Sequence, residues 1–466
     1  MDIRRFLERC FKRHPDRKAL VDRSKKEYSF RELEKEVQSY SARLKELGIQ
    51  TGDTLALMTE NRGDSLMLVL ACWYSGVTIA EIKPRTESEN LSYFLKDSGA
   101  DAFIFEERFR ERVEQAEIDI EMKAAVQKIE KASADNHIEP EKDLEEEVAS
   151  LGYTSGTTGT PKGVPYTHKR ILHHMKTLLM RDEVINNDSV CLIYPYYGVG
   201  TLELLASLSS GATLYLPPDK NPESVLDTIE QEEITTIGGV PTQLKSLAEK
   251  ADKFDTSSLR YVHTGSGILT EEVYDLIKDS LCEKVCTSYG SSEAGETLYS
   301  LEDSIAIGRP TRFQRVKLVE EGSKDPNKVV EGTGSGELIV KSDSPCVFDG
   351  YLNKPEKTQE VIKDGWYFTG DIIYRDSEGV FWFRGRDDDM IISGGENISP
   401  VEVEDAMLSH PAVKDAGAIG IDDDKWGEKV VGFVEAKRNL NEDELDHHCK
   451  ETDLENFKRP KEYIII

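Results

Sequence analysis

One segment of the sequence has residue types and spacing that suit the binding of a polyphosphate, the string YTSGTTGTPKG from Tyr153 to Gly163. Three glycines, Gly156, Gly159 and Gly163, let the backbone turn so that successive N–H groups converge on an anion. Lys162 adds a positive charge. Hydroxyl donors come from Thr154, Ser155, Thr157 and Thr158. We predict that this segment holds a triphosphate.

The string differs from a Walker loop, because Pro161 stands where the second glycine would be and no Lys-Ser or Lys-Thr pair follows. A flexible Gly/Thr linker is the plain alternative. The specificity of the whole eleven-residue string argues against that alternative.

Three further side chains have types that suit a nucleotide. Tyr289 offers a flat face for stacking on adenine, and Glu293 offers a hard oxygen to Mg²⁺ beside the phosphates. Asp371 follows a Thr-Gly pair at a predicted strand end, where an acceptor-only carboxylate can take both ribose hydroxyls. The plain alternative is a loop tyrosine with solvated carboxylates.

The polyphosphate string resembles the signature of the adenylate-forming superfamily, which includes acyl-CoA synthetases, peptide-synthetase adenylation domains and luciferases. Further signatures follow in the expected order and extend the resemblance over the whole chain: YGSSE (289–293), WYFTGD (366–371), GRDDD (385–389) and SGGEN (393–397). The resemblance implies that Lys162 and Glu293 are catalytic, that Glu293 binds the metal, and that Arg386 holds ribose and phosphate. It assigns nucleotide contacts to Gly265, Ser266, Gly267, Tyr289, Gly290, Ser291 and Ser292.

The C-terminal part resembles 4-chlorobenzoate-CoA ligase and related aryl- and acyl-CoA ligases most strongly, through the strings GRDDDMIISGGENISPVEVE, KWGE (425–428) and FKRP (457–460). The resemblance implies that Asp388 is a catalytic hinge about which a small domain rotates. It also implies coenzyme A contacts from Gly394 and Gly395, which line a pantetheine tunnel, from Trp426 in the tunnel wall, and from Arg459 with Arg85 at the nucleotide end.

The reaction implied by the resemblance has two steps. A substrate carboxylate attacks the α-phosphorus of ATP in line, giving acyl-AMP and pyrophosphate, and the thiol of coenzyme A then releases AMP. Such chemistry depends on positioning and charge stabilisation rather than on a protein nucleophile. The expected cofactors are ATP, Mg²⁺ and coenzyme A, and the expected partner is a small-molecule carboxylic acid.

Two features depart from the family pattern. The string YPYYGVG (194–200) places Gly198 where relatives have a histidine or aromatic gate. The resemblance therefore does not identify which carboxylic acid is the substrate. The sequence ends at Ile466, before the P-K-T-x-x-G-K-like loop of relatives, so we expect a fragment or a natural short form without the adenylation lysine. Loss of one such preorganised donor costs on the order of 10² to 10³ in rate. An adenylation domain that loads a carrier protein, or a degenerate ATP- or acyl-AMP-binding protein, are the alternatives.

Composition limits the class of protein. A chain of 466 residues is too long to fold around one hydrophobic core, so two or more domains are expected. A net charge of −29 opposes nonspecific binding to nucleic acid or anionic lipid. The seven cysteines show no zinc-site spacing, the N-terminus has no secretory-signal pattern, and the longest apolar run is too short to span a membrane. We expect a cytoplasmic enzyme with no membrane span; a homo-oligomer is compatible with the sequence.

Strand and helix patterns alternate along the first part of the chain, which favours a largely parallel sheet. Apolar spacing predicts helices at 30–47, 64–74 and 401–409, and strands at 55–58, 102–105, 190–195, 212–216, 235–240, 336–340, 380–383 and 430–435. The acidic segment 128–147 is interpreted as an exposed connection. With the resemblance, this predicts an α/β fold. A large AMP-binding domain (1–386) would contain two parallel-type α/β subdomains and a distorted β-barrel, and a small α+β C-terminal lid domain (387–466) would follow.

Overall fold

The computed structural model of the chain describes residues 1–129, 132–154, 161–182, 187–301, 304–423, 425–452 and 454–466. The α-helices are α1 Ile3–Arg13, α2 Phe30–Glu46, α3 Gly63–Ser75, α4 Ser88–Ser98, α5 Arg110–Gln115, α6 His168–Asp182, α7 Val199–Ser210, α8 Pro222–Gln231, α9 Pro241–Ala248, α10 Glu271–Ser280, α11 Pro355–Val361, α12 Pro400–Leu408 and α13 Glu442–Glu451.

The strands of the first half are β1 Lys18–Val21, β2 Glu27–Ser29, β3 Thr54–Met58, β4 Thr78–Glu81, β5 Ala102–Phe105, β6 Met122–Ala125, β7 Val148–Thr154, β8 Lys162–Thr167, β9 Ser189–Leu192, β10 Thr213–Tyr215, β11 Thr236–Gly239 and β12 Tyr261–Gly265. Those of the second half are β13 Val285–Ser291, β14 Gly295–Ser300, β15 Arg309–Pro310, β16 Val316–Val319, β17 Gly334–Lys341, β18 Ile362–Lys363, β19 Trp366–Arg375, β20 Phe381–Arg386, β21 Ile391–Ser393, β22 Glu396–Ile398, β23 Val413–Asp423, β24 Gly427–Ala436 and β25 Glu462–Ile465.

Within the described ranges the strands form four sheets. The first has the order β15-β14-β13-β12-β11-β9-β10-β1-β2, and the second has the order β6-β5-β3-β4-β7-β8. The third is antiparallel, with the order β16-β17-β19-β18 and β20 paired to β19. The fourth has the order β22-β21-β24-β23 with β25 paired to β24. Adjacent strands pair in parallel along β10-β9-β11-β12-β13 of the first sheet and along β5-β3-β4-β7 of the second, which confirms the expected α/β class.

The helices α3, α6 and α7 join the first two sheets into one core. Leu70 of α3 and Leu204 of α7 belong to the same buried cluster as Leu55 of the second sheet and Leu214 of the first. The sequence of α3, GDSLMLVLACWYS, is apolar on every side, as expected for a helix enclosed between layers. This arrangement places the carboxyl ends of both parallel sheets near α6 and α7.

Two predicted segments differ from the structure. The strand expected at 190–195 ends at Leu192, because the carbonyl of Tyr194 leaves the ladder and accepts a hydrogen bond from Asn61 Nδ2. The segment 128–147 is not simply an exposed connection: Ile138 and Leu144 are buried, and the backbone N–H of Ile138 donates to Ser41 Oγ on α2. The segment was predicted to be exposed because its many acidic residues outweigh the few apolar residues that are buried.

The fourth sheet and its helices form a separate core that contacts the third sheet. Glu402 of α12 makes ion pairs with Arg384 of β20 and with Lys458, at 2.5 and 2.7 Å. The domain limits 1–386 and 387–466 stay a prediction. The seven cysteines are free thiols, and no helix of the described residues is long and apolar enough to cross a membrane.

Candidate active site

A cavity of about 620 Å³ brings together segments that lie far apart in the sequence. Its walls come from the first three sheets, from α6 and α7, and from Val401 and Asp405 on α12. The predicted site residues that line it are Gly265, Ser266, Gly267, Tyr289, Gly290, Ser291, Ser292, Asp371 and Arg386. The nucleotide residues inferred from separate motifs therefore share one space.

Asp371 is the centre of a buried polar group at one end of the cavity. Tyr289 donates its hydroxyl hydrogen to Asp371 Oδ2 at 2.5 Å, and Arg386 Nη1 lies 3.1 Å from Asp371 Oδ1. Asp371 and Arg386 are cross-strand partners on β19 and β20, so the strand register produces their ion pair. Burial raises the pKa of the Asp371 carboxyl above its usual value. This carboxylate is suited to accept hydroxyl donors from a sugar.

The turn that precedes Asp371 requires glycine. Gly370 has a φ of 73°, in the left-handed region, and its N–H donates to Glu337 Oε1 at 3.0 Å. Glu337 is fully buried, and its other oxygen accepts from Lys324 Nζ at 2.8 Å. The Thr-Gly-Asp string thus turns the backbone at the position where Asp371 lines the cavity.

Lys162 and Glu293 are connected through a tyrosine that sequence reasoning missed. Lys162 Nζ donates to the hydroxyl of Tyr351 at 3.2 Å, and that hydroxyl donates to Glu293 Oε1 at 2.8 Å. Burial and the neighbouring carboxylate raise the pKa of Tyr351 above its usual value, so its proton stays in place. Nothing in the local sequence DGYLNKP identified Tyr351, because its role arises from a contact across 58 positions.

The predicted polyphosphate string is described only in part. Thr154 and Lys162 are opposite each other in the β7–β8 hairpin. The calls on Ser155, Gly156, Thr157, Thr158 and Gly159 lie outside the described residues.

Arg170 is a second residue that sequence reasoning missed. It is buried, and its guanidinium donates to the backbone carbonyls of Cys346, Pro165, Ser292 and Glu293, at 2.9, 2.8, 2.6 and 2.8 Å respectively. A planar fork of donors is suited to such a set of acceptors, which an ammonium could not match. Arg170 therefore holds the backbone of Ser292 and Glu293 against α6. A basic residue in a helix of mixed polarity gave no sequence signal for this role.

The other end of the cavity is mainly apolar. Its lining from α6 and α7 includes Ile171, Leu178, Val199 and Leu202. His174 also lines it and is neutral, because burial lowers the pKa of its imidazole to about 3, and its Nε2 donates to the carbonyl of Cys346. This end has the character of a pocket for the organic part of a substrate.

Three residues on neighbouring segments, Tyr196, Gly238 and His263, do not line the main cavity. Tyr196 is buried in the core, with its hydroxyl donating to the carbonyl of Leu57. Gly238 and His263 lie at a separate cavity of only about 10 Å³. Gly198 does line the main cavity, which agrees with an open gate at that position.

The residues predicted to serve the hinge and coenzyme A are outside the main cavity. Asp388 is exposed on the short turn Asp387–Asp389. Gly394 donates its N–H to the carbonyl of Trp426 at 2.7 Å, and the indole packs on Gly394. Gly395 has a φ of 88° and open space around it, while Arg459 pairs with Asp446. The structure brings Gly394, Gly395 and Trp426 together but places Arg459 elsewhere; their roles stay predictions.

Comparison with known proteins identifies the class. A family model for the AMP-binding enzyme matches residues 7–352, and the model for the C-terminal domain of that enzyme matches residues 402–466. The chain belongs to the AMP-binding enzyme family. It is 31% identical to a 2-succinylbenzoate--CoA ligase of Bacillus licheniformis, over 100% of this chain and 96% of the relative, and 29% identical to that of Bacillus subtilis, over 97% and 92%.

Solved structures agree with these relatives. The o-succinylbenzoate CoA synthetase of Bacillus subtilis in complex with an acyl-adenylate intermediate has a TM-score of 0.89 at 28% identity, over 99% of this chain and 94% of that chain. The same enzyme in complex with ATP and magnesium ion has a TM-score of 0.86 at 28% identity, over 99% and 95%. The expected family, fold and reaction class, an AMP-forming ligase of a carboxylic acid and a thiol, are confirmed.

Proposed function

We propose that this chain activates a carboxylic acid with ATP and Mg²⁺ and transfers the acyl group to coenzyme A. The observation that carries the proposal is the single cavity that joins the Asp371 carboxylate to an apolar pocket beside α6. A nucleotide at one end and an acid at the other would meet near Ser292, where the two walls approach. We also propose a cytoplasmic location, which the free cysteines support.

In the first half-reaction, Asp371 would accept the ribose hydroxyls and the Tyr289 ring would stack on adenine. Lys162 would provide positive charge to the phosphates. Glu293 would hold Mg²⁺, which commonly binds through one or two carboxylates together with substrate phosphates, and the ion would neutralise the charge that develops on pyrophosphate. The hydroxyl of Tyr351 fixes the Glu293 carboxylate for this purpose.

In the second half-reaction, the domain that carries Gly394, Gly395 and Trp426 would rotate about Asp388 and bring its loop to the cavity. Three observations support the motion: Asp388 is exposed, Gly395 has open space, and Trp426 packs on its own loop rather than on the large domain. Arg459 would have to leave Asp446 to reach coenzyme A.

The test measures the two half-reactions separately. Magnesium-ATP with a panel of aliphatic and aromatic acids should release pyrophosphate, and synthetic acyl-adenylates with coenzyme A should give thioester and AMP. Replacement of Glu293 by Gln should reduce the first rate more than about 10-fold. The control is Glu320→Gln, which changes an exposed carboxylate at a turn.

Three outcomes would contradict the proposal. Thioester on a carrier protein but not on coenzyme A would indicate a loading domain. Nucleotide binding with no pyrophosphate release in the first assay and no thioester in the second would indicate a binding protein. Equal loss of activity in Glu293→Gln and Glu320→Gln would remove the assigned metal role.

A further inference from the structure

A cluster of side chains outside the wall of the main cavity surrounds the backbone next to Lys162. The carbonyl of Pro161 accepts a hydrogen bond from the Tyr93 hydroxyl at 2.6 Å and another from Lys354 Nζ at 2.9 Å. Lys354 Nζ also donates to the Tyr93 hydroxyl at 3.0 Å. Proline has no N–H, so this carbonyl is the only backbone group through which Pro161 can be held by hydrogen bonds. Both of its acceptor positions are occupied.

The position of this carbonyl determines the course of the backbone into Lys162. The Pro161 carbonyl belongs to the peptide group whose N–H is that of Lys162, and a peptide group is planar. On the other side, the carbonyl of Gly163 accepts from the N–H of Leu352 at 2.8 Å. A Cβ at Gly163 would lie 3.1 Å from Leu352 Cβ, so the lack of a side chain permits this close approach. Lys162 is thus fixed by contacts to both of its neighbours in the sequence.

Helix α4 connects these contacts with the other strand of the β7–β8 hairpin. Phe94 packs edge-on against Tyr153 of β7, with the ring centroids 4.8 Å apart, and the Tyr153 hydroxyl donates to Asp97 Oδ2 at 3.1 Å. Asn353 Nδ2 donates to the carbonyl of Asp97 at 3.4 Å, which joins α4 to the segment that carries Lys354. The helix therefore holds the start of the polyphosphate string through Tyr153 as well as its last part through the carbonyl described above.

Two lysines in this cluster carry positive charges that no carboxylate contacts within the described part of the chain. Lys354 Nζ contacts a hydroxyl and a carbonyl, and Lys162 Nζ contacts the Tyr351 hydroxyl at 3.2 Å. The whole chain has a net charge of −29, and cations without a carboxylate partner in such a protein favour an anionic ligand. The Tyr351 hydroxyl also donates to Glu293, so the cluster adjoins the residue that we propose as the ligand of Mg²⁺.

We infer that Tyr93 and Lys354 are positioning residues that hold Lys162 in place for the β- and γ-phosphates of ATP. The inference rests on the proposed function and adds to it two residues that the sequence motifs did not indicate. Their contacts involve neither Tyr289 nor Asp371, the residues proposed to bind the nucleoside. Loss of either positioning residue should therefore affect ATP but not AMP, and the first half-reaction but not the second, in which no polyphosphate takes part.

The experiment uses Lys354→Met, which removes the ammonium, and Tyr93→Phe, which removes only a hydroxyl. Lys357→Met is the matched control, since Lys357 lies on the adjacent helix α11 and its ammonium contacts Glu360 there at 2.9 Å. Calorimetry gives Kd for magnesium-ATP and for AMP. Pyrophosphate release with the acids that support it gives kcat and KM for ATP, and thioester formation from synthetic acyl-adenylate and coenzyme A gives the rate of the second half-reaction.

We expect Lys354→Met to raise both the Kd and the KM for ATP about 10-fold. This is less than the roughly 100-fold that a displacement of about 1 Å can cost, because the contacts from Tyr351 and Leu352 remain. Tyr93→Phe should raise both values about 3-fold, since Lys354 still holds the carbonyl. The Kd of AMP and the rate of thioester formation should stay unchanged in both variants, and Lys357→Met should change none of these values.

Unchanged ATP binding and pyrophosphate release in Lys354→Met and Tyr93→Phe would overturn the inference alone. Equal losses of ATP and AMP affinity, or of both half-reactions, would also overturn it, because the two residues would then only support the fold. An unaltered chain that binds ATP without releasing pyrophosphate would overturn the proposed function, while the Kd values for ATP and AMP would still decide the inference. An unaltered chain that does not bind ATP would overturn both together.

Discussion

Replacement of Arg170 by Met should separate the stability of this fold from the placement of its proposed metal ligand. The guanidinium makes hydrogen bonds of 2.6 to 2.9 Å to four backbone carbonyls. Three of these carbonyls keep another donor without it: Cys346 from His174, Ser292 from Tyr166, and Glu293 from Phe348. Loss of Arg170 therefore removes hydrogen bonds without leaving most acceptors unpaired.

The magnitude follows from that count. Hydrogen bonds to a charged group contribute about 1.5 to 3 kcal/mol each, and the low end applies where the acceptor keeps a second donor. Removal of the buried charge recovers part of its desolvation cost, and the methionine refills part of the volume. We expect a net loss of about 3 kcal/mol, which for a protein of this size lowers Tm by about 3 °C.

The effect on chemistry should exceed the effect on folding. Ser292 and Glu293 would no longer be tied to α6, and a displacement of about 1 Å in a catalytic group can cost about 100-fold. Thermal unfolding and pyrophosphate release should be measured for Arg170→Met and for Arg170→Lys, which retains a charge but not the planar fork. Arg31→Met removes an exposed arginine and is the control.

Unfolding of Arg170→Met at the temperature of the unaltered chain would contradict the structural role of Arg170. Pyrophosphate release at an undiminished rate, at a temperature where a less stable Arg170→Met is still folded, would contradict its role in placing Glu293. Equal behaviour of Arg170→Lys and the unaltered chain would remove the argument from the planar fork.

Three shorter predictions concern single groups. Tyr351→Phe removes the donor to Glu293, so the Mg²⁺ concentration that half-saturates pyrophosphate release should rise about 3- to 10-fold; an unchanged requirement would contradict the role of that hydroxyl. Tyr289→Phe removes the hydroxyl that favours the charged form of Asp371, so the pKa of Asp371 should rise further. As the pH is lowered, AMP binding should therefore begin to weaken at a higher pH than in the unaltered chain, as calorimetry from pH 5 to 8 would show. Burial lowers the pKa of His168 to about 4 from an ordinary value near 6.5. The unfolded chain therefore binds more protons in that interval, and up to about 3 kcal/mol of stability present above pH 6.5 is lost as pH falls toward 4; urea unfolding of His168→Gln should show a flatter pH profile.

Much of the candidate site could be predicted from residue types, whereas contacts between distant segments could not. Tyr289, Asp371 and Arg386 were identified singly from motifs, and their chemistry is local: a ring, a carboxylate and a guanidinium. That Tyr289 donates to Asp371 depends on how β13 meets β19, and a one-residue slip of β20 would have removed the pair with Arg386. The α/β class was predictable because period and alternation are also local properties.

Arg170 and Tyr351 show why the remainder was missed. Each acts through contacts between segments more than 50 positions apart. The local sequence around each is typical of an ordinary helix or turn and gives no sign of these contacts. The prediction for the segment 128–147 failed for the opposite reason, since three buried residues in a mainly acidic stretch are enough to hold it against α2 and α3. Sequence patterns report averages, and these features depend on single contacts.

The helix α6 connects the choice of acid with the speed of its activation. Arg170, which holds the backbone of Glu293, is adjacent to Ile171, and His174 and Leu178 follow on the same helix in the wall of the proposed acid pocket. Helices move as stiff units in a close-packed interior. An acyl group too wide for the pocket would press on α6 and shift Glu293 with it, so a poor fit reduces turnover as well as affinity. The enzyme would then discriminate twice with one helix, once when the acid binds and again when it reacts.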